Sequence, residues 1–178
     1  MYDHVLVPTD GSAAVEGAIA HAVELAETYG ATVHALYAVQ PLYAPEPGFD
    51  RVYTAMEEEG ETAVETVAER ARDAGLVVET AVRRGEPHQQ IVEYAADHGV
   101  DLIAMGTHGR TGLDRYLVGS VTEKVVRTVE VPVLTVRHVP DSDGDRATGD
   151  TEPEAVDDLP DERPESVDPV DPADGGPS

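Results

Sequence analysis

Apolar positions along the chain follow two periods in alternation. Short runs rich in β-branched and aliphatic residues occupy 2–7, 32–39, 76–83, 101–105 and 132–137, which predicts five buried strands. Between them the apolar positions recur every three or four residues: Val15, Ile19, Ala22, Val23 and Ala26; then Val52, Met56, Ala63, Val67, Ala71 and Ala74; then Ile91, Val92 and Ala95; then Val121, Val125 and Val129, with Thr122 and Val126 beside them. Each set predicts an amphipathic helix. Gly30 stops the first helix, Pro87 suits the first turn of the third, and Pro41, Pro45, Pro47 and Gly48 mark a loop after the second strand. The second helix turns Glu57, Glu58, Glu59, Glu61 and Glu65 to solvent, and Gly60 is expected to kink it.

Strands that alternate with helices imply a parallel sheet with right-handed crossovers. The fold expected is α/β: a doubly wound, five-stranded parallel sheet of order 3-2-1-4-5, with helices on both faces. In such sheets a ligand binds beyond the carboxyl ends of the strands where the strand order reverses. For this order the reversal lies between strands one and four. Their loops are Pro8-Thr-Asp10-Gly-Ser12 and the stretch from Gly106 to Ser120, two turn-rich junctions that converge on one site.

The second junction, Gly106-Thr-His-Gly109-Arg-Thr-Gly112-Leu-Asp-Arg-Tyr-Leu-Val-Gly119-Ser120, carries the chemistry. Strand, glycine loop and helix follow one another there, so backbone N-H groups and the positive end of a helix dipole come together where phosphate can be held. Turns that need positive φ account for glycines equally well. The spacing is neither the Walker lysine loop nor the dinucleotide fingerprint, and the single lysine, Lys124, lies inside the helix pattern. Gly106-x2-Gly109-x9-Gly119-Ser120 resembles the signature of ATP-binding members of the universal stress protein family, serine included. Val7-Pro-Thr-Asp10-Gly-Ser12 resembles that family's first-strand turn, and Gly85-Glu-Pro-His-Gln-Gln-Ile91 the start of its third helix.

That resemblance extends over residues 1–138. It implies an adenine nucleotide alpha hydrolase-like fold, usually dimeric, that binds ATP through Pro8, Thr9 and Asp10, through Ala38 or Val39, and through Met105, Gly106, Gly109, Gly119, Ser120, Val121 and Thr122. Asp10 is expected on a ribose hydroxyl or bridged to phosphate by Mg2+ or Mn2+, since a bare carboxylate beside triphosphate repels it; as a cap for the helix that follows it has a purely structural reading. Ser120 reads as a phosphate ligand or as the capping-box partner of Glu123. Arg110, with Arg115, offsets phosphate charge or sits on the surface. The apolar last strand, Pro132-Val-Leu-Thr-Val-Arg137, is an exposed sheet edge that pairing with a second copy would cover. Two function classes follow: a stress-response or regulatory module whose nucleotide occupancy alters dimer or partner contacts, and a slow ATP hydrolase or nucleotidyl-transfer enzyme. The missing Walker lysine and second acidic metal ligand favour the first.

Composition narrows the picture. With 178 residues, 40% hydrophobic, one Phe and no Trp, the core is built from Val, Ala, Leu and Ile. The lack of cysteine excludes disulfides and thiol chemistry. No basic leader or membrane-length apolar run is present, so a cytoplasmic location is expected. The seven histidines are scattered singly, without metal-ligand spacing, and His108 has no sequence neighbour to complete a catalytic set.

The formal charge of -24 disfavours nucleic acid and anionic membranes as partners. Acids are spread along the whole chain, and lysine is nearly absent, a pattern that suits molar salt better than one basic partner. Residues 1–139 form the expected nucleotide-binding domain. Residues 140–178 are Pro-rich and acidic, with too little apolar area to offset chain entropy, and are expected to be a disordered tail serving solubility or docking. Within it, Asp141-Ser-Asp143-Gly-Asp145 hints at a calcium loop, but Arg146 stands where the loop needs glycine.

The charge generates a prediction. At molar KCl the screening length falls to about 3 Å, so the thermal midpoint by circular dichroism should rise steeply between dilute buffer and molar salt; an unchanged melt would contradict the solvent-adaptation reading.

Overall fold

The computed structural model describes residues 1–41, 49–107 and 119–137. The expectations for Pro45, Pro47 and Gly48, for His108, Gly109, Arg110, Gly112 and Arg115, and for the acidic tail lie outside the described residues. Five strands are present: β1 His4–Pro8, β2 Thr32–Val39, β3 Val78–Arg84, β4 Leu102–Gly106 and β5 Val133–Val136. The helices are α1 Glu16–Tyr29, entered through a 3-10 turn at Ala13–Val15, α2 Phe49–Asp73, α3 Pro87–Asp97 and α4 Ser120–Thr128. The sheet order is β3-β2-β1-β4-β5, every pair parallel, as the alternation of periods predicts.

Side-chain parity divides the core into two layers. Val5 and Val7 of β1, Val33, Ala35, Tyr37 and Val39 of β2, and Leu102 and Ala104 of β4 pack with α1 and α2. Leu6, Leu36, Ile103 and Met105, one residue out of phase, pack with Ile91, Tyr94 and Ala95 of α3 and Val125 of α4. Both sheet faces are therefore covered, which is why the central strands read as continuous apolar runs. Gly30 ends α1 in the left-handed region, φ 70°, and its N-H bonds to the Ala26 carbonyl. Among the described residues no helix is long and apolar enough to cross a membrane.

One local expectation fails, and a second position has a reason that the pattern does not give. Gly60 does not break α2, which is a single helix through that position. It is buried, and a Cβ there would stand 2.7 Å from Cδ1 of Tyr37, so the glycine lets α2 close onto β2. Val52, placed by its spacing on the apolar face, is 46% exposed in the first turns of α2.

Gly60→Val should destabilise the domain by about 1–3 kcal/mol, the usual cost of overpacking, despite the better intrinsic helix propensity of Val. Urea unfolding in molar salt measures this, and a midpoint equal to or above the wild type would show that Tyr37 moves aside freely.

Candidate functional site

The β1-β2 ladder continues to Pro8↔Leu36, whereas the β1-β4 ladder ends at Leu6↔Ile103. Beyond that point β1 leads to α1 on one face of the sheet and β4 to α4 on the other. A crevice lies at this parting of the strands. Its volume is about 380 Å³, within the range of small-molecule sites.

On the β1 side, Thr9 is tied to the sheet by its N-H, which donates to the Leu36 carbonyl at 2.9 Å. The next residues form a tight turn: Gly11 N-H donates to Thr9 Oγ1 at 3.1 Å, and Ser12 donates both its N-H (3.0 Å) and its hydroxyl (2.6 Å) to Asp10 Oδ1. Gly11 has φ 76°, which favours glycine. Asp10 therefore orders the turn before the helix. The helix-cap expectation is corrected to this extent: Ser12, not Asp10, occupies the N-cap of the 3-10 turn, and no side chain caps that turn.

On the β4 side, Thr107 and Gly119 face each other, and Gly119 N-H donates to the Thr107 carbonyl at 2.7 Å. Gly119 has φ -53°, so glycine is not required by its torsion. It is favoured by approach, since a Cβ would lie 3.2 Å from the Thr107 carbonyl oxygen, a tight contact. Gly119 is the N-cap of α4 and Ser120 its first residue, with no side-chain cap bond. The capping-box expectation for Ser120 and Glu123 is thereby overturned: Ser120 is one position too late to cap, and Glu123 instead reaches Arg127 at 2.9 Å. Thr122, 4% exposed, donates its hydroxyl to the Gly106 carbonyl at 3.0 Å and so fixes the start of α4 against the end of β4. The amides of the first turn of α4 have no acceptor within the helix except where Glu123 N-H meets the Gly119 carbonyl at 2.9 Å.

Of the residues singled out from the sequence, Pro8, Thr9, Asp10, Ala38, Met105, Gly106, Gly119, Ser120, Val121 and Thr122 line this crevice. Val39 does not: it is fully buried in the α1/α2 layer, and its carbonyl accepts from Gly85 N-H at 2.9 Å. Gly109 and Arg110 lie outside the described residues. The lining also includes Val15, Leu36, Tyr37, Gln40 and Met56, which carry no motif, and Pro87 and Ile91 from the stretch Gly85 to Ile91. Met56 and Ile91 come from helices on opposite faces of the sheet, so only the strand order brings them to one cavity. The wall is largely apolar. Asp10 is the one carboxylate among the described lining residues, which include no lysine, arginine or histidine. Nor do three or more His, Asp or Glu side chains among the described residues converge in a metal-holding arrangement.

A crevice at the switch point of a doubly wound sheet, with a helix N-terminus opening onto it, defines an α/β protein of the Rossmann-like class. Residues 1–137 match the model of the universal stress protein family, and the chain belongs to that family. A universal stress protein of Methanocaldococcus jannaschii is 37% identical over 141 residues, covering 77% of this chain and 83% of that protein. Among solved structures, the universal stress protein UspA of Lactobacillus plantarum superposes with TM-score 0.68 at 30% identity, covering 76% of this chain and 98% of that one. A universal stress protein in complex with cAMP superposes with TM-score 0.61 at 26% identity, covering 76% and 97% respectively.

Proposed function

We propose that the crevice binds ATP and that the protein is a stress-response or regulatory module whose nucleotide occupancy alters its dimer or partner contacts. The observation that carries this reading is the convergence of the β1 turn, the end of β2 and the first turn of α4 on one cavity of about 380 Å³. Adenine takes the apolar part, between Ala38 and Ile91, where backbone groups at the end of β2 offer hydrogen bonds to its edge. Asp10 takes a ribose hydroxyl. The phosphates lie over the first turn of α4, where the amides of Ser120 and Val121 and the helix dipole stabilise negative charge. Gly109 and Arg110 join the phosphate side by the glycine signature. Mg2+ or Mn2+, held chiefly by the phosphates, screens them from Asp10. The complex of a related universal stress protein with cAMP supports an adenine nucleotide as the ligand class.

The described lining offers one carboxylate and no second base, an arrangement suited to holding a nucleotide rather than turning it over. β5 is one of the two sheet edges, with Val133, Leu134 and Val136 half-buried in the single chain. Pairing of β5 with a second copy would satisfy its free backbone groups and cover these side chains.

Calorimetry with Mg-ATP in molar salt tests the site. Wild type should bind; Ala38→Phe, which fills the adenine slot, should lose binding at least tenfold with its circular dichroism unchanged; Ser120→Ala should lose only a few-fold, because the amides remain. Wild type that binds no adenine nucleotide, or folded Ala38→Phe that binds as wild type does, would overturn the reading. ATP left with the protein should still be ATP after hours. Light scattering at micromolar concentration in high salt should give twice the chain mass, and a monomer mass would exclude the β5 dimer.

A further inference from the structure

Sulfur is placed unevenly in this chain. The sequence holds three methionines and no cysteine, so thioethers are its only sulfur. Met1 is 96% exposed at the start of the chain. The other two, Met56 of α2 and Met105 of β4, both line the crevice. They reach it from opposite faces of the sheet: Met56 packs half-buried against the α1/α2 layer, and Met105 belongs to the layer of α3 and α4. Apart from Met105, the described apolar core consists of Val, Ala, Leu, Ile and Tyr.

A methionine in a cavity wall has a plain packing role, because its unbranched, polarisable side chain fills irregular gaps and adapts to what binds. It also brings a chemistry that leucine or isoleucine at the same place would lack. Hydrogen peroxide transfers one oxygen atom to a thioether: the O-O bond breaks, an S-O bond forms, the sulfur is oxidised to a sulfoxide and the rest of the peroxide leaves as water. An apolar side chain thereby becomes a polar one, and sulfoxide reductases can reverse the change. The reaction needs access to sulfur, and the two crevice methionines differ in this. Met105 is 5% exposed, whereas Met56 is half-buried at the cavity wall.

We propose that Met56 is a peroxide-sensitive site that sets the affinity of the crevice: as a thioether it completes the apolar wall, and as a sulfoxide it weakens nucleotide binding. The effect on binding rests on the nucleotide reading, whereas the selective oxidation of Met56 does not. A sulfoxide oxygen in that wall needs a hydrogen-bond donor, and the side chains of Leu36, Ala38 and Ile91 offer none. The oxygen therefore keeps water, and a base that displaces this water leaves it unpartnered. The loss amounts to about tenfold in affinity. Occupancy acts in the other direction, since a base seated in the slot covers the sulfur and slows its oxidation.

Treatment of the full chain with hydrogen peroxide in molar salt, with and without saturating Mg-ATP, tests the site, and peptide mass spectrometry follows oxygen uptake at each methionine. Met1 should oxidise first and equally in both conditions, Met105 last, and Met56 between them, several-fold more slowly when Mg-ATP is present. Calorimetry after Met56 oxidation should show Mg-ATP bound about tenfold more weakly, with circular dichroism unchanged, and methionine sulfoxide reductases for both epimers should restore it. Met56→Leu, whatever its own affinity, should bind equally before and after peroxide; Met56→Gln, polar without any oxidant, should bind weakly from the start. Met56 left intact while Met1 is fully oxidised, or wild-type affinity that survives Met56 oxidation, would overturn the proposal and leave the nucleotide reading standing. A loss that persists in Met56→Leu would assign the effect to Met105 and overturn it too. Untreated wild type that binds no nucleotide would end both readings.

Discussion

The strands β1 and β4 separate after Leu6 and Ile103, and the organisation of the molecule follows from that parting. While the two are paired they sit at the sheet's centre, where Val5, Leu6 and Ile103 are wholly buried and helices cover both faces. Once they part, each leads toward its own helix layer, and the crevice lies between them. In this sheet the strand order reverses between β1 and β4, and there the connections to the next strands lead to opposite sides. The crevice is thus a consequence of strand order, and the side chains around it are those that the order leaves at its mouth.

What keeps the crevice in shape is a small set of polar contacts made by residues of low bulk. Thr122 holds α4 to Gly106, Gly119 holds it to Thr107, and Asp10 folds the opposite turn onto Ser12. Each replaces a mobile loop end with a fixed one, so backbone donors face the cavity without first having to be ordered. That preorganisation lowers the entropic cost of ligand capture. The price in stability is small, because these bonds satisfy groups that would otherwise be buried without partners.

The strands and helices were legible because the periods of two and 3.6 are set by burial on both sheet faces, and every central strand obeys them. Most of the crevice lining was legible from the two strand-end turns. The remainder depends on contacts that no local pattern encodes. The close fit of Gly60 is invisible in the sequence because the Tyr37 ring that it admits lies on another element. Ala38 and Val39 could not be separated until parity against Leu36 and Tyr37 fixed which face each takes. Met56 and Ile91 reach the cavity from opposite layers. The histidines were read as scattered singles because His4, His34 and His98 are far apart in sequence; the parallel β1-β2 register and the end of α3 bring them together. Ser120 failed as a cap by a single position, a distinction finer than sequence alone resolves at a helix start.

The bond between Gly119 and Thr107 separates two parts of the chain that evolution can treat differently. Its two partners are the exit of β4 and the start of α4, and their own backbones hold them 2.7 Å apart. With the two ends joined by this bond, a longer connection between them adds a closure cost of only about 0.6 kcal/mol for each doubling of length. The fold therefore offers a socket at the mouth of its crevice, where a different loop would alter what is held there while the sheet beneath stays the same.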